Sequence, residues 1–271
     1  MRTFTIPAVL SIAGSDSSGG AGIQADIKTI AAHGLFAETA ITALTAQNTR
    51  GVRAVQDTDP ALVAAQIDAV FEDIPPAAIK IGMVSSAAIV HAIAERLECW
   101  NAENVVVDPV MVATSGARLI AEDAADALTE RLFPLVRIIT PNIPEAETLT
   151  GLRITDADSM ETAAHRLASA YGCAVLVKGG HRVNDADDVL VQAEGSDHRT
   201  TAWLTGARIE TGNMHGTGCT LSSAIACGLA VGQPLDQAVR NAKDYLTGAL
   251  ASGLDLGHGS GPVDHAWRMR A

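Results

Sequence analysis

The chain has 271 residues, 48% of them hydrophobic, and carries a formal net charge of -12 at pH 7. So acidic a surface argues against nucleic acid and anionic membranes as partners, because both select basic faces. Cys99, Cys173, Cys219 and Cys227 are far apart and form no CxxC pair, which predicts reduced thiols in a cytoplasmic protein. The histidines show no metal-ligand spacing, and the apolar run near the N-terminus, about residues 6 to 13, is too short for a signal or membrane segment.

In chain order, Ala8-Val-Leu-Ser-Ile-Ala13 is a short apolar run that leads into the glycine-rich turn Gly14-Ser-Asp-Ser-Ser-Gly-Gly-Ala-Gly22. The next helix reaches about His33, with Ile23, Ile27 and Ile30 on one face and Gly34 as its stop. Asp26 lies among these apolar residues. Two readings of it stay open: a structural salt bridge or cap, or a carboxylate that hydrogen-bonds a ligand. Phe36 to Gln47 is extended and ends in Thr45-Ala-Gln-Asn-Thr49, and a helix from about Pro60 to Phe71 has proline near its first turn.

Ala78-Ile-Lys-Ile-Gly-Met83 is the next strand and Ala87 to Cys99 the next helix. Val105-Val-Val107 is a strand ending at Asp108-Pro109, and a helix covers about Ala121 to Leu132. Val136 to Ile139 is a strand ending in Thr140-Pro-Asn142, followed by a short helix over Glu145 to Leu149. Ser159 to Tyr171 is helical, and Ala174 to Val177 is a strand ending in Lys178-Gly-Gly180. Residues from about Asp188 to Ile209 are less hydrophobic and read as antiparallel strands at a sheet edge. A helix beginning near Thr217 is joined by Gly232-Gln-Pro234 to a last one, whose apolar face is Leu235, Ala238, Val239, Ala242, Leu246 and Leu250 and which stops near Gly253.

Alternating strands and helices, with several strands apolar throughout, predict an α/β fold: a mainly parallel sheet covered by helices on both faces, in one domain over 1–271. Ligands of such sheets bind beyond the C-terminal strand ends. Asp16, Gln47, Met83, Asp108, Asn142 and Lys178 stand at those ends. Each has an ordinary explanation alone, since Asn and Asp favour turns and Lys is usually solvated. Carboxylates, amides and a lysine on one rim point to a small-molecule site.

The stretch Gly212-Asn-Met-His-Gly-Thr-Gly-Cys-Thr220 supplies a possible anion hole for that site. Gly216 and Gly218 permit a tight turn and close approach of a ligand. The unpaired N–H groups of the following helix start, with the positive end of its dipole, attract an anion. Cys219 lies in that turn, either as a base for phosphoryl transfer or as a small buried cysteine. No GxxxxGK[ST] occurs, and the third glycine of a dinucleotide fingerprint is missing, so neither a P-loop nor hydride transfer is supported.

From about Ala8 to Trp267 the motifs resemble those of the ribokinase-like superfamily, and within it the hydroxymethylpyrimidine/phosphomethylpyrimidine kinases of thiamine biosynthesis. The resemblance rests on Ala13-Gly-Ser-Asp-Ser-Ser-Gly-Gly-Ala-Gly-Ile-Gln-Ala-Asp26, Thr45-Ala-Gln-Asn-Thr49, Lys80-Ile-Gly-Met83, Thr140-Pro-Asn-Ile-Pro-Glu-Ala146, Val177-Lys-Gly-Gly-His181, His215-Gly-Thr-Gly-Cys-Thr220 and Gly261-Pro-Val263. Sugar and nucleoside kinases resembling this group usually carry aspartate where Cys219 stands.

The resemblance implies a three-layer α/β/α fold without a separate lid domain, use of ATP and Mg²⁺, and a homodimer. It implies that Gln47 hydrogen-bonds an aminopyrimidine ring, that Met83 and Val110 pack its faces, and that Gly14, Ala21 and Asp26 complete the pocket. Asn142, Glu145, Lys178 and Thr217 would serve ATP and its Mg²⁺, Glu145 reaching the metal through water, with Asp108 supporting them. Gly216 to Cys219 would form the anion hole, and Cys219 would be the base. Met214 departs from the smaller residue expected there, which puts the local nucleotide contacts in doubt. The expected activity is phosphorylation of 4-amino-5-hydroxymethyl-2-methylpyrimidine and of its monophosphate. A pyridoxal kinase is the nearest alternative and a non-catalytic pyrimidine-binding protein a further one.

Overall fold

The computed structural model of the protein describes residues 5–111, 122–180, 186–194 and 198–270. The strands are β1 (Ala8–Asp16), β2 (Phe36–Asn48), β3 (Gly51–Asp57), β4 (Ala78–Ile81), β5 (Val105–Val107), β6 (Ile138–Ile139), β7 (Ala174–Val177), β8 (Asp188–Glu194) and β9 (His198–Leu204). The helices are α1 (Gly22–Ala32), α2 (Pro60–Asp73), α3 (Ala87–Cys99), α4 (Glu122–Ala127), α5 (Ile143–Thr150), α6 (Ala157–Tyr171), α7 (Thr217–Ala230) and α8 (Leu235–Ala251).

Among the described residues the strands form one nine-stranded sheet in the order β3-β2-β1-β4-β5-β6-β7-β8-β9. From β2 to β7 all neighbours are parallel, whereas β3 and the β8–β9 pair run antiparallel at the two edges. Successive strand residues feed opposite faces, as the period of a pleated strand requires. Leu10, Ile12, Ile79, Ile81, Val105, Val107 and Val175 pack with Val63, Ile67, Ile93 and Leu167 of α2, α3 and α6. Val9, Ala78, Val106, Ile138 and Leu176 face the other way, onto Ile30, Leu221, Ile225, Val239 and Tyr245 of α1, α7 and α8. The three-layer, mainly parallel expectation is met.

Local expectations fail in instructive places. Ile23 and Ile30 are buried but Ile27 is 39% exposed, so the apolar face of α1 is narrower than its spacing suggests. The helix expected over Ala121 to Leu132 breaks after Ala127 into a π-turn, Leu128–Leu132, and a 3-10 turn, Phe133–Leu135, where Pro134 cannot extend an α-helix. Ala121, like His181 of the strand-end motif, lies outside the described residues. β3 is a strand the sequence pattern did not reveal. It is largely exposed, so no alternation of buried apolar side chains marks it.

One core position is costly. Glu38 of β2 sits beside Leu10 in the β1–β2 ladder, buried, with Oε2 unpartnered. Burial pushes its carboxyl up to about 7 from the usual 4.5. The folded protein therefore binds this proton more tightly than the unfolded chain. A stability penalty is absent below about pH 4.5, grows as pH rises and is complete above about pH 7. Glu38→Gln should raise unfolding free energy by about 1–3 kcal/mol at pH 8 and change it little at pH 4.5, read by urea denaturation. A gain of equal size at both pH values would refute the assignment.

Candidate active site

The turn after β1 is folded by Asp16. Its carboxylate accepts the N–H groups of Ser18 (2.8 Å), Gly20 (3.1 Å) and Ala21 (2.8 Å), the Ser18 hydroxyl, and Nε2 of His215 at 2.8 Å. Burial works against the charged form, but the bonds from His215, Ser18 and Ala21 prevail and hold this carboxyl down at about 2. His215 belongs to the second glycine loop, so Asp16 joins loops from opposite ends of the chain. The loops touch so closely that side chains are excluded. A Cβ on Gly216 would lie 1.9 Å from the carbonyl oxygen of Gly20, and one on Gly20 would lie 2.4 Å from Cδ2 of His215. Gly216 also has φ of 84°, which glycine adopts readily.

Gly216 is the N-cap of α7, and the first-turn N–H groups of Thr217, Gly218 and Cys219 have no acceptor within the helix. Directly against that turn stands an ion pair. A Cβ on Gly218 would lie 2.7 Å from Oδ2 of Asp108 and 3.3 Å from Nζ of Lys178. Lys178 donates to Oδ1 of Asp108 at 2.6 Å, and the Thr140 hydroxyl reaches the same oxygen at 3.2 Å. Asn142 and Glu145 form a capping box at the start of α5, each side chain accepting the other's N–H at 2.9 and 2.8 Å. Burial raises the Glu145 carboxyl to about 7, with Lys178 opposing and Asp108 reinforcing the rise.

Cys219 is half-buried in the first turn of α7. Its dominant influence is burial, which drives the thiol up to about 11; Lys80 opposes, Asp26 and Asp108 add to the rise, and the Gly22 N–H opposes it. The sequence leaves the sign of this shift open, and the structure makes it upward. The resting side chain is a neutral thiol.

The residues expected around a pyrimidine ring are placed as follows. Gly14 lies against Met83, since a Cβ there would be 2.8 Å from the Met83 Cε, the movable end of that side chain. Ala21 donates its N–H to Asp16, and Val110 is held over the Asp108 carbonyl by a 2.8 Å bond. Gln47 occupies a bulge near the end of β2; its Oε1 accepts from Thr45 at 3.2 Å, and its Nε2 lies 3.4 Å from Nε2 of His215. Thr217 donates its hydroxyl back to the Met214 carbonyl, and the Met214 side chain is 44% exposed.

For Asp26 the sequence leaves a salt bridge and a ligand contact open. It is fully buried, and its oxygens accept from Ser11 (2.5 Å), Lys80 (2.8 Å) and Ser223 (2.8 Å). The bonds observed for Asp26 are those of the salt-bridge reading. Its partner Lys80, and His215 beside Gln47, are site-supporting residues that sequence reasoning quoted without a role. A lysine inside the apolar run of β4 was the available signal for the first.

The depressed Asp16 carboxyl makes a pH-dependent contribution. A carboxylate held at about 2 instead of 3.8 stabilises the fold above about pH 4, and the effect is lost as pH falls toward 2. Asp16→Asn should cost about 2 kcal/mol in urea unfolding at pH 7, with the gap to wild type closing below about pH 4. A gap independent of pH would show that shape, not charge, is what Asp16 contributes.

The phosphomethylpyrimidine kinase family profile matches residues 16–264. A hydroxymethylpyrimidine/phosphomethylpyrimidine kinase of Rhizobium meliloti is 51% identical over 263 residues, covering 96% of this chain and 97% of that protein. A thiamine biosynthesis bifunctional protein of Geobacter sulfurreducens is also 51% identical over 97% of this chain, which spans 53% of that longer protein. Among solved structures, phosphomethylpyrimidine kinase of Clostridium difficile 630 superposes with TM-score 0.77 at 46% identity, over 89% of this chain and 98% of that one. Pyridoxal kinase of Bacillus subtilis, solved with ADP, superposes with TM-score 0.88 at 33% identity, over 98% of this chain and 100% of that one. The backbone is thus common to both kinds of kinase, whereas the side chains favour the first. With identity of this level spread over nearly the whole length, the chain belongs to the phosphomethylpyrimidine kinase family.

Proposed function

We propose that the protein, as a cytoplasmic homodimer using ATP and Mg²⁺, phosphorylates 4-amino-5-hydroxymethyl-2-methylpyrimidine and then its monophosphate, giving the diphosphate. The observation that carries this is the start of α7 set against the Asp108–Lys178 pair, with Cys219 in the same turn. Phosphoryl transfer asks mainly for positioning and for positive charge around the transferring group. Lys178 and the free N–H groups of Gly218 and Cys219 supply both. Gln47 offers one acceptor and two donors, a match for the amino group and ring nitrogen of an aminopyrimidine.

Among the described residues no three acidic, histidine or cysteine side chains gather as a ready metal site. Mg²⁺ keeps several waters and binds through one or two carboxylates plus substrate phosphates. Glu145 would hold it through water, with Asp108 nearby, and the ion would neutralise phosphate charge. Glu145 and Asn142 already fix the start of α5 beside Lys178, so the same capping box orients the carboxylate.

The two steps differ in what they ask of Cys219. The first acceptor is an alcohol, whose proton must leave; the form of Cys219 that takes it is the small thiolate fraction, its own proton already released to solvent. The second is a phosphate, already largely deprotonated at neutral pH because its second pKa is about 6. A base is needed for the first step alone. Cys219→Ala should therefore lower turnover of the hydroxymethyl compound by about 10²–10⁴-fold, the usual range for general-base catalysis, and affect the monophosphate far less. Equal loss on both acceptors would remove Cys219 as base.

Superposition on pyridoxal kinase supports a second reading, phosphorylation of pyridoxal. ADP release measured against the pyrimidine, its monophosphate and pyridoxal decides between them; preference for pyridoxal would overturn the proposal. Gln47→Leu keeps approximate volume but leaves the polar edge of the pyrimidine unpaired. It should weaken pyrimidine binding by about 1–3 kcal/mol in calorimetry, and unchanged affinity would place the ring elsewhere.

A further inference from the structure

Lys178 is followed by two glycines, and Gly180 has φ of 84°. A lysine at the end of a strand, with a glycine pair after it, has little in its own sequence to fix its direction. The Lys178 N–H bonds the Pro141 carbonyl and its ammonium bonds Asp108, and the peptide that follows has a fastening of its own. Asp188, the first residue of β8, is buried and accepts the N–H of Gly179 on Oδ1 at 2.8 Å. Its other oxygen accepts from Lys243 of α8 at 2.6 Å, and the same ammonium reaches the Ala186 carbonyl at 2.5 Å. Gly179 fits only as glycine, since a Cβ would lie 2.1 Å from the Asp187 carbonyl oxygen.

Helix α8 is in turn pressed onto α7, where a Cβ on Gly228 would lie 2.7 Å from that of Ala238. One path of contacts therefore runs from the peptide after Lys178, through Asp188 and Lys243, to α8 and on to α7, whose first turn faces Lys178. A largely buried ion pair is costly to desolvate and is a poor source of net stability. Burial raises the Asp188 carboxyl, with Lys243 and the Gly179 N–H opposing.

We propose that Asp188, held by Lys243, is a positioning residue for phosphoryl transfer: it fixes the Lys178–Gly179 peptide so that the Lys178 ammonium meets the transferring phosphate at the start of α7. The inference rests on the phosphate role given to Lys178 above. In Asp188→Asn the amide cannot accept from both Gly179 and Lys243, so one tether is lost while size is kept.

The test is a double-mutant cycle on turnover at saturating ATP and pyrimidine, with pyrimidine affinity from calorimetry. Asp188→Asn alone should lower turnover about 10–100-fold and leave pyrimidine affinity within about twofold, as expected for a loss confined to the transition state. In a Lys178→Ala background the same change should alter turnover less than about twofold, because the group it positions is gone. Undiminished turnover in Asp188→Asn, or an equal loss in both backgrounds, would overturn the inference. If Lys178→Ala itself turns over like wild type, the phosphate role of Lys178 fails first, and that result is read independently. Should Asp188→Asn fold poorly, Asp188→Asn with Lys243→Gln leaves no lone buried charge and enters the same cycle.

Discussion

The site depends on a contact with no side chain on one side of it: the α-carbon of Gly216 against the carbonyl of Gly20. The two loops come from the first strand and from the helix that closes the second half of the fold. Their approach is fixed by backbone on both sides and by the buried Asp16–His215 bond. From that contact follow the direction of the first turn of α7 and the position of Gln47, which lies beside His215. A methyl group at either glycine would push the first turn of α7 away from the loop that follows β1.

Beneath the loops, charge alternates. Asp26 pairs with Lys80 and Asp108 with Lys178, with Cys219 near the first pair and Gly218 against the second. Each charge is expensive to bury alone and tolerable only with its partner. The pairs do different work. Asp26 and Lys80 tie β4 to α1, while Ser11 and Ser223 tie β1 and α7 to the same carboxylate. Asp108 and Lys178 instead stand at strand ends, against the first turn of α7. Nothing in composition separates the two pairs, because the distinction is one of depth.

That explains what could be read in advance. Lys178, Asp108 and Gly218 stand at strand ends or a helix start, positions that periodicity and turn residues mark along the chain, and they do come together. The role of Asp26 could not be settled from its own helix, since its three partners lie on other elements. The Asp16–His215 bond spans 199 positions, a separation over which no local pattern carries information. β3 escaped notice for a different reason: an exposed edge strand has no buried face to impose alternation.

Cys219 also has a chemical history to survive. Oxidants and electrophiles attack the thiolate, not the thiol. Moving the group from 9.0 to about 11 leaves about a hundredfold less thiolate at any pH below both values. The burial that keeps the cysteine in its thiol form thus leaves less of the thiolate that peroxide attacks on the way to a sulfenic acid. An aspartate at this position would need no such protection. A cysteine can be kept there because burial holds it in the thiol form.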